Sequence, residues 1–188
     1  MKSPLLALSQ RLASFNRDER GVSAVEFAML LPLMITLYLG SVEISQGVAM
    51  DRKVTLTTRT VADLASQVSS INNADMTNML NASSAVMACD TGQCDVSKLK
   101  VTVSAVTIDA NGTAKVAWSD TLNGTKHAVN STVTLPAALN VPNTTLIWSE
   151  VSYSYQPTIG YVITGALNLS DQIWMRPRLS DTVTRVNS

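Results

Sequence analysis

Glu26 is the residue whose type and position make the sharpest chemical demand. It stands at the edge of an apolar run, Phe27 to Val42, whose only ionisable group is the Tyr38 phenol. A carboxylate there costs free energy unless a cation or a hydrogen-bond donor meets it. The plain alternative is a side chain that snorkels to the lipid headgroups. Gly21 marks the junction between a basic leader and the apolar side, and Val22 follows it. The second chemistry belongs to Cys89 and Cys94, with Asp90-Thr91-Gly92-Gln93 between them. A loop of that size containing a glycine closes into a disulfide in an oxidising compartment, adding on the order of 2 kcal/mol. Two free thiols and half a metal site are the competing readings. The metal reading lacks partners, because His127 is the single histidine and there is no third cysteine.

Other chemistry is absent from the sequence. No P-loop, G-x-S-x-G, H-E-x-x-H or calcium-loop pattern occurs, and the acids are scattered singly, so the chain reads as a non-enzyme with neither cofactor nor metal. His127 lies in a polar stretch and reads as solvated. Trp118, Trp148 and Trp174 fall one to a strand and read as core. Tyr153 and Tyr155 share one side of their strand, a possible subunit contact. Glu43, at the far end of the apolar run, reads as interfacial.

These residues must be carried by a membrane-length helix. Phe27 to Val42 makes about 24 Å of helix, and Val22 to Met50 about 43 Å, more than the ~30 Å hydrocarbon core requires. Val54, Val61, Leu64, Val68 and Ile71 continue on one helical face, so the spacing predicts one helix to about Ile71, kinked or loosened at Pro32. Asp75 is placed to cap a second helix reaching about Ala88. From Leu99 the rhythm becomes alternating. Lys98–Ile108, Thr113–Ser119, Ser131–Leu135, Leu146–Tyr155 and Leu167–Trp174 read as strands, and Arg176 begins a polar tail. The fold class is therefore α+β: a long N-terminal helix, transmembrane then amphipathic, packed on an antiparallel sheet.

The chain has 188 residues and no formal net charge. Within residues 1–21, Lys2, Arg11, Arg17 and Arg20 outnumber Asp18 and Glu19, which makes that segment basic. No basic stripe with interleaved aromatics appears, which excludes nucleic acid as a partner. The positive-inside count is nearly balanced by Arg52, Lys53 and Arg59 beyond the span. The cysteine pair and the Ser/Thr/Asn-rich distal half favour a cytoplasmic N-terminus and an exported C-terminal domain. Gly47-Val48-Ala49 is a passable signal-peptidase site, so a cut there is the competing reading.

Basic residues, Gly21, then an apolar helix whose fifth residue is Glu26 resemble a type IV prepilin processing site. Glu19-Arg20-Gly21-Val22-Ser23-Ala24-Val25-Glu26-Phe27-Ala28-Met29-Leu30-Leu31-Pro32 resembles more closely the start of TadE-like proteins, minor pilin-like components of tight-adherence pilus systems. The resemblance implies cleavage by a prepilin peptidase between Gly21 and Val22, and an assembly contact in which Glu26 meets the new α-amine of Val22 on a neighbouring subunit. Many type IV pilins have Phe where Val22 stands. Partners implied are the peptidase, other pilin-like subunits, the inner-membrane assembly platform and membrane lipid. Residues 1–21 are then a cytoplasmic leader, 22–50 the transmembrane helix, 51–98 a helical region with the Cys loop, and 99–188 an exported β domain, in a single-pass inner-membrane protein with a pilin-like fold. An uncleaved, signal-anchored periplasmic scaffold or binding protein is the alternative.

Overall fold

A computed structural model describes residues 20–88, 94–157, 160 and 163–186. The chain divides into two compact units, Met1–Val42 and Glu43–Ser188. Helix α1, Arg20–Ser66, contributes to both and runs unbroken through Pro32. The proline ring leaves one carbonyl of the preceding turn without its helical donor. Among the described residues, α1 is the one helix long and apolar enough to cross a membrane. In the first unit its apolar side chains, Phe27, Met29, Leu33 and Leu37 among them, are exposed. Thr36 and Ser41 return their hydroxyls to the carbonyls of Pro32 and Tyr38 at 2.8 Å, which lets polar side chains sit in an apolar segment.

α1 ends at Ser66, short of the expected Ile71. Ile71 instead belongs to a two-residue strand, β1, Ser70–Ile71, and is buried from there. Asn72 explains the break. Its side chain accepts from Asp75 N at 2.8 Å while the Asp75 carboxylate accepts from Asn72 N, a capping box that starts helix α2, Asn73–Met87. The cap is thus Asn72, with Asp75 as its third-position partner. Met76, Met79, Leu80 and Met87 form the buried side of α2, and Val86 is only half-buried.

A four-stranded antiparallel sheet follows, β2 Leu99–Ile108, β3 Ala114–Leu122, β4 Thr144–Tyr155 and β5 Leu167–Met175, in the order β3-β2-β4-β5. Ser131–Leu135, expected as a strand, makes only an isolated bridge from Thr132 to Lys115. Pro136 closes it off, and the preceding turn holds Asn130 at a positive φ of 65°. One face of the sheet packs on α1 and α2. Val54, Val61 and Ala65 of α1 meet Val101, Val103, Ile147, Val151 and both Tyr153 and Tyr155 in a single core. Those two tyrosines are therefore interior. Burial pushes the Tyr155 phenol up, assisted by the charge of Glu43.

The opposite face carries a smaller core of Val106, Ile108, Val116 and Leu146 under Val133, Leu135 and Leu139. A bulge divides the two. Ala105 pairs with Trp118 while Val106 pairs with Val116, so Ala117 is the additional residue on β3. Through it Trp118 joins the helix-side core while Val116, two positions earlier, joins the opposite one.

The segment after β5 is a clasp, not a polar tail. Arg178 N donates to the Ser66 carbonyl at 2.8 Å, satisfying the end of α1. β6, Thr184–Arg185, pairs parallel with β1. The Trp118 indole donates to Val183 O at 2.7 Å, and Arg185 donates to Asp120 at 2.7 Å and to Asn73 at 2.7 Å. Burial works against an ionised Asp120, yet hydrogen bonds from Lys126 and Arg185, and then their charges, outweigh it and hold the carboxyl below its usual range. A depressed folded-state pKa stabilises above the unfolded value near ~4 and stops doing so as pH falls through the folded value. Amide exchange at Thr184–Val186, corrected for intrinsic rates, should therefore be protected at neutral pH and lose protection below about pH 4 before the central strands do. Equal loss in both places would contradict the clasp.

Candidate functional site

Gly21, Val22 and Glu26 occupy the first two turns of α1. Val22 and Glu26 are four residues apart and so share one helix face. Glu26 is exposed and has no ion pair among the described residues. Gly21 is instructive in another way. A Cβ added there would meet nothing within 4 Å, and its φ is not positive, so neither packing nor backbone geometry in this fold requires a glycine. Glycine in a helix costs about 1 kcal/mol relative to Ala, which leaves this first turn easy to unwind. The backbone at Gly21 is helical, and the glycine lowers the free energy of extending it.

Cys94 is disulfide-bonded, and Cys89 lies outside the described residues. Glu43 departs from its expected interfacial position. It is fully buried in the second unit and accepts from Ile163 N at 3.0 Å. The signal was present in the spacing, because Glu43, Met50, Val54 and Val61 recur at seven, four and seven, on the same buried stripe.

The histidine and two of the tryptophans also depart from expectation. Trp118 is core, but Trp148 and Trp174 are half-buried on the sheet face turned away from α1. They are cross-strand partners. Their rings stack at 4.7 Å and 10°, and His127 stacks on Trp148 at 4.5 Å and 17°. His127 Nε2 is hydrogen-bonded to Glu150 Oε2, and the Trp148 indole donates to Gln172 Oε1 at 3.1 Å. The loop that delivers His127 begins at Asn123, φ 54°, and Gly124, where a Cβ would stand 2.6 Å from Thr121 Oγ1. His127 N donates to Ser119 Oγ at 3.1 Å, which fixes the loop to the sheet. Nothing in the sequence placed His127 beside Trp148, because the loop has no periodicity to read.

Neither group of residues supplies a nucleophile with an adjacent base, and the described residues hold no His/Cys/Asp/Glu group able to bind a metal. The family model described as TadE-like protein matches residues 21–63. This segment, less than half of the chain, is similar to TadE-like proteins. The match starts at Gly21 and stops inside α1, so the sheet lies outside it. Similarity to TadE-like proteins associates the chain with Tad pili and with a structural class of protein. It agrees with the resemblance read from Arg20 to Pro32. Curated proteins and solved structures give no match.

Proposed function

We propose that this chain is a TadE-like minor pilin, a membrane-anchored structural subunit that supports assembly of tight-adherence pili and through them surface adhesion. The observation that carries the reading is a TadE-like match beginning at Gly21, a glycine that the fold itself does not need. In this reading residues 1–21 are a cytoplasmic leader, and a prepilin peptidase cuts before Val22. α1 holds the protein in the inner membrane, with the sheet on the far side. Glu26 then meets the α-amine of Val22 on a neighbouring pilin-like subunit. Such a contact removes most of the cost of a carboxylate in lipid, and a subunit out of register leaves the charge unpaired.

Burial of Glu43 supports this reading over a signal-peptidase cut after Ala49. That cut would remove a carboxylate which the folded unit encloses and bonds to Ile163. Substituting Gly21 tests the cut directly. In cells with the peptidase, Gly21→Ala should slow conversion to the shorter form by roughly fivefold or more, the ratio for about 1 kcal/mol of added helix stability before any clash in the peptidase site. An unchanged ratio of precursor to product by immunoblot would count against processing at this bond.

A further inference from the structure

The outer face of the sheet carries two shallow cavities, of about 520 and 560 Å³, which share His127 and Gln172 and so form one groove. Both are within the size range of small-ligand sites. One side is bounded by Lys100, Glu150, Ser152 and Asp171, the other by Thr132, Thr134, Trp148 and Trp174. We propose that this groove binds an uncharged oligosaccharide, with the Trp148–Trp174 stack as its apolar wall and Glu150, Gln172 and Lys100 as its hydroxyl contacts.

Three observations choose that class of ligand. Charge comes first: Lys100 and Glu150 line the same stretch of the groove with opposite signs, so neither a polyanion nor a polycation is matched. Polarity comes second. Hydroxyl, amide, carboxylate and ammonium groups line the Glu150 side and apolar side chains much of the Trp148 side, an amphipathic lining that suits a polyhydroxylated ring with an apolar face. Its acceptors and donors are placed accordingly. Glu150 uses Oε2 on His127 and retains Oε1, while Gln172 uses Oε1 on Trp148 and retains its amide N–H groups. A carboxylate beside an amide matches vicinal hydroxyls, each of which both donates and accepts.

The stack geometry is the third. The 4.7 Å separation of Trp148 and Trp174 equals the spacing of neighbouring strands, so the rings stand upright and stack along the hydrogen-bonding direction. Trp174 belongs to β5, which has no further strand beside it among the described residues. Its ring is half-exposed at the end of the stack, where the C–H bonds of a pyranose can meet the negative face of an indole. The aromatics are held in place without a ligand, by His127 on one side and Gln172 below, so binding costs little ordering.

Full-length protein in lipid nanodiscs, free of glycoside detergent, is the sample. Chitotetraose, cellotetraose and maltotetraose serve as probes in saturation-transfer NMR. Transfer to ring protons is expected for at least one of them. Chitotetraose alone would indicate an N-acetylhexosamine polymer such as a cell-wall glycan, and the other two a hexose polysaccharide. Trp174→Ala and Gln172→Ala should each weaken binding about tenfold or more, with Gln172→Ala keeping its far-UV circular dichroism because that side chain is exposed. No transfer from any probe, or transfer that survives both substitutions, overturns the proposal, as does binding only of an anionic polysaccharide such as heparin. The groove lies wholly in the second unit, so its failure leaves the pilin reading untouched.

Discussion

Glu26→Ala should leave the conversion at Gly21 intact and abolish assembly. The carboxylate is not part of the bond to be cut, and a helix tolerates Ala at any position. In the proposed assembly its partner is another subunit, and removing one member of a buried ion pair costs about 3–5 kcal/mol. Repeated at each subunit contact, that is enough to empty a polymer. Cells carrying this variant should show the processed form by immunoblot, no pili in the sheared fraction, and no co-purification with other pilin-like subunits. Glu26→Gln, which keeps the shape and loses the charge, should fall between the two. Normal piliation in Glu26→Ala would show that the carboxylate serves only as an interfacial group. Loss of processing in the same variant would assign Glu26 to peptidase recognition instead.

The largest loss of stability is expected at Trp118. Its indole lies in the helix-side core and bonds the C-terminal clasp through Val183 O at 2.7 Å. Trp118→Ala should destabilise the second unit by about 3–5 kcal/mol. For a unit of this size that corresponds to a fall in Tm of roughly 10 °C, read by near-UV circular dichroism. Trp118→Phe keeps most of the packing but leaves the Val183 carbonyl unpartnered, so it should cost about 1–3 kcal/mol and loosen the clasp first. Equal effects from the two substitutions would mean that the hydrogen bond contributes nothing.

The sequence made the fold class legible for reasons that differ by element. α1 shows itself through an apolar run long enough to cross a membrane, and β2 and β4 through alternation over most of their length, flanked by Gly and Pro turns. Boundaries were harder to read. Val68 and Ile71 continue the helical spacing of Val61 and Leu64, but the local capping box at Asn72 and Asp75 overrides that pattern and sends Ile71 into a strand. Ser131–Leu135 alternates like a strand, yet it lies over the smaller core and pairs at one bridge only.

Of the candidate residues, Gly21 and Glu26 stand out in the sequence because local context alone makes them anomalous: a glycine with no packing reason and an acid beside lipid-length apolar sequence. Glu43 was readable only by extending the buried stripe backwards from Met50. The His127–Trp148–Trp174 stack was not. It depends on the register that sets Trp148 opposite Trp174, and on a loop held by Asn123 and Gly124, neither of which composition or periodicity reveals. The bulge at Ala117 is of the same kind, since it reverses which side of the sheet β3 presents without any glycine or proline to announce it.

The central claim is that the mature chain begins at Val22, and intact-mass analysis of protein purified from cells expressing the cognate prepilin peptidase tests it most directly. The account predicts a mass lacking residues 1–21, with Val22 as the N-terminal residue by peptide sequencing. A mass that retains Met1–Gly21, or a chain that begins at Met50, would contradict it.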